Sequence, residues 1–218
     1  MGFERTVAFI ILVALICTAC NQRNRAFKVL PPVKDSVPYD SLKAVLENIY
    51  DTDQGIREKL MASKGEEFGE IMYRMMQIDS VNRARIKPIL HRYGWLPKSK
   101  VGEKASDAIF FVIQHSDVEL MRQYFPSLKD LASKREAKAT HAAMMEDRLL
   151  VNEGKKQIYG TQATSDSSTN GKAYIWPIEN PDQVNQLRKE AGFDLTVEAN
   201  ARRLGAIYDP KRELPEVR

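Results

Sequence analysis

Apolar residues return every three or four positions through most of this chain, and that spacing commits it to helices. Leu42, Val45, Leu46 and Ile49 mark one stripe, and Phe68, Ile71, Met72, Met75, Ile78, Val81, Ile86, Ile89 and Leu90 mark a much longer one. A period near 3.6 places such residues on one helix face and makes a strand of the same length untenable. The reading begins near Tyr39-Asp40-Ser41, where Asp40 or Ser41 suits a helix cap. A second helix is expected to start at Asp51-Thr52-Asp53-Gln54, pass Arg57 and Leu60, and end near Lys64-Gly65. A long helix is then expected over 66–93, with Pro88 a point of kinking or splitting, Asp79 or Ser80 able to cap the second part, and Gly94 as its stop. The methionines on this stripe read as core filler.

After Trp95-Leu96-Pro97 comes a helix over 103–115 that is apolar nearly all round, with Ala105, Ala108 and Val112 on one side and Ile109, Phe110 and Ile113 on the rest. Such a helix belongs at the centre of a bundle. Asp117 is placed to cap the next helix, through Met121, Tyr124 and Leu128 with Pro126 a potential break, and another is expected over 139–152, ending at Gly154. Only one region reads as sheet. Gln157 to Gln162 and Lys172 to Pro177 are β-prone runs around a polar loop that ends in Asn170-Gly171, the pattern of a hairpin. Short helices over 181–191, stopped by Gly192, and 196–208 follow, then a tail from 209 to 218 with Pro210 and Pro215. The expected fold class is mainly α: a single multi-helix domain over 39–208 with one small β-hairpin near 157–177.

The N-terminus says where such a chain would live. Val7 to Ile16 is an unbroken apolar run that closes in Cys17-Thr18-Ala19-Cys20 and turns polar at Asn21. It is too short to cross a bilayer as a helix, which takes about 20 apolar residues, and it has the form of a secretory signal. Its end resembles the lipobox of bacterial lipoproteins, in which the invariant cysteine receives a diacylglycerol and palmitate-type chains before the signal is cut away. The resemblance implies a signal peptide over 1–19, lipidation at Cys20 and a Pro-containing tether over 20–38. An ordinary cleaved signal and an uncleaved anchor are the other readings. Cys17 stands where the family usually has Leu.

No cysteine follows Cys20. A chain acylated there has no thiol and no disulfide, which excludes a disulfide scaffold, a thiol enzyme and a cysteine-ligated zinc site. The formal net charge of +4 survives removal of the signal, since Arg5 and Glu4 cancel. Part of the excess sits at Arg23, Arg25, Lys28 and Lys34, where it reads as a solvated spacer or favours an anionic membrane surface. There is no basic face interleaved with aromatics, so nucleic acid is not an expected partner. The expected partners are a lipid bilayer through Cys20 and a small ligand or envelope protein, with no cofactor. Asn21 in place of the Asp that retains some lipoproteins in the inner membrane favours the outer membrane of the cell envelope.

Polar groups concentrate where burial is expected in three clusters: Gln114-His115-Ser116-Asp117, Glu146-Asp147-Arg148, and Gln157 with Tyr159-Gly160-Thr161-Gln162. Together with Tyr93-Gly94-Trp95, Val101 to Ala105 and Pro177 to Pro181, they occur in an order that resembles a family of bacterial domains of unknown function, many of them in lipoproteins of the Bacteroidota. The resemblance covers about residues 40 to 205. This chain departs from it at Leu96, where many members have Pro, and at Asn180, where many have Asp. It implies no activity.

On chemistry alone, His115 is the strongest catalytic candidate, because imidazole titrates near neutrality. Asp117 or Asp147 is expected to orient its ring, and Gln114, Arg148, Tyr159 and Gln162 are candidate ligand-binding groups. Ser116 lacks the context of a nucleophile. The architectural alternative is that Gln114, His115 and Asp117 satisfy helix ends, while Asp147 and Arg148 pin the hairpin as a hydrogen-bonded pair. The three histidines, His91, His115 and His141, lack metal-ligand spacing, so no metal site is expected. The function expected is binding of a ligand or partner at the envelope. The alternative is a small hydrolase-like enzyme with His115 as general base.

Overall fold

Among the described residues, eight helices and two short strands run in the order α1 (Tyr39–Ala62), α2 (Glu66–Tyr93), α3 (Lys98–Val101), α4 (Glu103–Gln114), α5 (Val118–Ser133), α6 (Ala139–Asn152), β1 (Ala163–Thr164), β2 (Tyr174–Ile175), α7 (Val184–Glu190) and α8 (Val197–Arg203). The structure, a computed structural model, describes residues 37–165, 169 and 171–215. The expected signal peptide, Cys20, nearly all of the expected tether, part of the hairpin tip and the end of the tail lie outside the described residues. The fold is mainly α with one small hairpin, as the apolar spacing implies.

The central helix is α4. Nine of its residues are buried, from Ala105 to Gln114, and it packs on α1, α2, α3, α5 and α6. Leu46, Ile49, Ile86, Ile109, Phe110, Ile113 and Met145 are fully enclosed in the resulting core. A second, smaller core of Ile175, Ile178, Val184, Val197 and Ala201 lies beneath the hairpin, α7 and α8.

Two expected breaks are absent. Residues 39–62 form one helix of 24 residues rather than two. Asp51-Thr52-Asp53 has the composition of a cap, yet its polar groups find partners that leave the helix whole. Thr52 Oγ1 donates to the carbonyls of Asn48 (3.1 Å) and Ile49 (3.0 Å), and Asp53 accepts from Arg57 one turn on, a spacing that supports a helix interior. Likewise α2 runs unbroken past Asp79 and through Pro88, because Asp79 faces Arg57 across the helix pair instead of capping its own chain. Gly94, at φ +70°, ends α2 and donates to Leu90 O. The left-handed conformation there is one that glycine adopts without penalty.

The hairpin is smaller than expected. β1 and β2 pair antiparallel with Ala163 opposite Ile175 and Thr164 opposite Tyr174. Residues 157–162 are not a strand. Gln157 makes a single parallel bridge to Ile178, and the loop then curls towards α6. α8 also stops early, at Arg203: Gly205 takes φ +62°, and Ile207 turns back to pair with β2, donating to Ala173 O (2.8 Å) and accepting from Ile175 N (2.9 Å).

Candidate functional site

Asp147, on α6, is completely enclosed and is spent on architecture. Its Oδ1 accepts from the amides of Ile158 (2.7 Å) and Tyr159 (3.0 Å), and its Oδ2 from the amide (2.9 Å) and hydroxyl (2.9 Å) of Thr161. Burial pushes this carboxyl above its ordinary range, and the amide and hydroxyl donors pull it back down. A strand would direct alternate amides to opposite sides, whereas a loop can aim several at one carboxylate. That is why 157–162 abandons the sheet.

The rest of the loop is equally saturated. Gln157, also fully buried, donates to the carbonyls of Gln162 (3.0 Å) and Trp176 (2.7 Å) and accepts from the amide of Gln162 (2.9 Å). Arg188 donates to Tyr159 O (2.8 Å) and Asn200 to Gly160 O (3.1 Å). Tyr159 is half-buried, its ring tilted on Phe193, and burial followed by the charges of Glu146, Asp147 and Glu190 holds its hydroxyl above the usual phenol range.

Asp117 does not reach His115 by any hydrogen bond among the described residues. It is exposed and caps α5, accepting from Leu120 N at 2.8 Å. The pairing of Asp147 with Arg148 is also replaced. Neighbours on a helix point about 100° apart, so Asp147 faces the loop while Arg148 faces a different group of residues.

That group surrounds His115, the residue that ends α4. Burial first, then the positive charges of Arg57 and Arg148, drive its imidazole down to about 4, against the pull of the Asp53 carboxylate and a backbone hydrogen bond at Phe111. The ring is neutral at pH 7, and its Nδ1 is buried with no hydrogen-bond partner among the described residues. The same holds for Nε of Arg148 and Oε1 of Gln114. Arg148 is itself made less basic by burial and by the neighbouring charge of Arg57. Gln114 and Gln162 converge as well, their amide nitrogens each 3.5 Å from Met144 O.

Sequence reasoning missed the floor of this site. Arg57 donates through Nε to Asp53 Oδ2 (3.1 Å), through Nη2 to Asp53 Oδ1 (3.2 Å) and Asp79 Oδ1 (2.7 Å), and through Nη1 to Met75 Sδ (3.0 Å). Gln54 adds a third hydrogen bond to Asp53, at 2.7 Å. Burial raises the Asp79 carboxyl; Arg57 opposes the rise and Asp53 adds to it. A signal for Asp53 did exist: the buried residues of α1 are Leu42, Leu46, Ile49, Asp53 and Ile56, so an acid sits on the apolar stripe. A charge at such a position has to be paired.

His141 has a different role. Its ring stacks on Phe110 at 3.8 Å and 7°, and burial followed by Lys138 holds it down to about 3. It serves the core as a flat neutral ring. No group of three or more His, Cys, Asp or Glu side chains suited to a metal ion occurs among the described residues.

The profile of a family of unknown function, DUF6624, matches residues 40–212. The chain belongs to that family. The match takes in the whole of the Asp53–Arg57–His115–Arg148 group as well as the loop around Asp147. No curated protein and no solved structure is significantly similar to the chain. No helix among the described residues of this DUF6624 domain is long and apolar enough to cross a membrane.

Proposed function

We propose that this protein is a lipoprotein of the cell envelope, held by an acylated Cys20 at a membrane, with the outer membrane favoured, and that its helical domain binds a small ligand over His115. The tether rests on the short apolar run ending in Thr18-Ala19-Cys20 and the lack of any later cysteine. The binding reading rests on one observation: Nδ1 of His115, Nε of Arg148 and Oε1 of Gln114 are buried without partners among the described residues. Folded proteins rarely leave buried polar atoms unsatisfied, so each of these three atoms calls for a partner. The saturated loop around Asp147 supports the site from outside.

Metabolic labelling with a fatty-acid analogue tests the tether: the wild-type chain takes up label and Cys20→Ser does not. Native mass spectrometry of gently purified protein tests the binding. A co-purifying small-molecule adduct, lost in Arg148→Gln while the fold is retained, is the expected result.

A second reading, a hydrolase-like enzyme, draws on the buried, unpartnered Nδ1 of His115; an imidazole held down to about 4 is a weak base at pH 7, so a substrate or anion that raises it is required. Asp53 is then the carboxylate whose charge favours the protonated ring, with Arg148 and Gln162 as substrate clamps. Turnover of a panel of chromogenic esters that disappears in His115→Ala at unchanged stability would support it.

A further inference from the structure

We infer that the ligand bound over His115 presents an oxyanion, a carboxylate or phosphate group, to Arg148. This deepens the binding reading above and depends on it. The argument is one of charge. Arg57 brings a cation to the site but is consumed, its donors divided among Asp53, Asp79 and Met75. Arg148 is a second cation close enough to Arg57 to be disfavoured by it, and no carboxylate forms a salt bridge or hydrogen bond with Arg148 among the described residues.

The nearest acid on its own helix, Asp147, is fully committed to the loop amides and Thr161, and Glu146 pairs with Lys129. A half-buried guanidinium with an unpartnered Nε, within electrostatic reach of a second guanidinium, is a costly arrangement that an incoming anion relieves. A planar fork of N–H donors matches carboxylate and phosphate oxygens in particular. His115, neutral and with Nδ1 unpartnered, supplies a further hydrogen-bonding atom without adding a competing negative charge. Both residues are only partly covered, though Nδ1 and Nε themselves are buried, so an oxyanion approaches through their exposed atoms.

The test is titration of the folded domain with inorganic phosphate and with acetate, followed by NMR of the imidazole nitrogens. Saturable binding is expected, together with a rise in the pKa of the His115 ring, because an anion beside the ring favours its charged form. Arg148→Gln should weaken binding roughly tenfold or more, and Arg148→Lys should recover part of it. A structural arginine would not move the His115 titration in an anion-dependent way. A parallel titration with phosphatidylglycerol vesicles separates sources: binding that needs vesicles and Arg148 assigns the oxyanion to a lipid headgroup, and binding of free phosphate or acetate assigns it to a solute. If a neutral adduct is found and no anion binds or shifts His115, the oxyanion inference falls and the binding reading stands. If there is no adduct, no anion effect and no dependence on Arg148, both fall.

Discussion

Thr161 donates to Asp147 twice, through its amide and through its hydroxyl, each at 2.9 Å. With the amides of Ile158 and Tyr159 on the same carboxylate, one side chain of α6 fixes the path of a whole loop. Asp147→Asn turns one acceptor oxygen into a donor that faces other donors. It should cost about 3 kcal/mol, the scale of a broken buried charged network. Thr161→Val, which removes only the hydroxyl, should cost about 1 kcal/mol. Urea unfolding gives both values, and faster hydrogen exchange at the amides of 158, 159 and 161 should accompany the Asn variant.

Arg57 holds α1 to α2 through Asp53 and Asp79. Arg57→Met leaves Asp53, 1% exposed, as an uncompensated buried charge and should destabilise by about 3–5 kcal/mol. Adding Asp53→Leu removes that charge and should recover much of the loss. A double-mutant cycle in urea measures the coupling.

His115→Gln, which keeps most of the side-chain volume, should change stability at pH 7 by no more than about 1 kcal/mol, because the neutral ring has no partner on Nδ1 to lose. Thermal unfolding beside Asp147→Asn separates a residue kept for a ligand from one kept for the fold.

Acidification should expose the two buried histidines. His115 is depressed to about 4 and His141 to about 3 from the ordinary 6.5. The unfolded chain therefore takes up protons first, and the stability these rings contribute, complete above pH 6.5, is lost as pH falls through about 4 and 3. At about 1.4 kcal/mol per pKa unit, His115 accounts for about 3 kcal/mol. The raised carboxyls of Asp79, Asp107 and Asp147 act with the opposite sign. The measurement is accordingly a difference: His115→Gln should lose less stability than wild type between pH 6.5 and 4 in urea titrations.

Gly160 sits at φ +66°, and a Cβ there would lie 2.6 Å from Val197 Cγ2 and 2.9 Å from Ile178 Cδ1. Gly160→Ala combines backbone strain with overpacking, each worth about 1–3 kcal/mol. A lowered melting temperature should be accompanied by chemical-shift changes at Val197 and Ile178.

Several helices could be read directly from residue order. The limits of α2 and α6, the all-apolar character of α4 and the cap at Asp117 follow from spacing and composition, which act over one or two turns. The division of α1 at Asp51 misread a polar triplet whose partners lie one turn away in Asn48, Ile49 and Arg57 and across the interface in Asn82. The strand expected at 157–162 failed for a related reason. Its β-prone residues obey a local preference that the buried carboxylate of Asp147 overrides by drawing three amides to one point.

The candidate site shows the same boundary. Gln114, His115, Arg148 and Gln162 were visible as polar residues in apolar surroundings, but their partners were not. Linear order put Asp117 and Asp147 beside His115 and Arg148, and the packing of α1, α2, α4 and α6 put Asp53 and Arg57 there instead. Local order along the chain specifies which segments coil, since that depends on neighbours three and four residues apart, but it overstates the inward face of α2, where Phe68, Met72 and Val81 of the expected stripe are exposed. Which charges meet depends on how separate helices pack, and electrostatic energy in a poorly solvated interior is set by the separation that packing imposes and by the local dielectric.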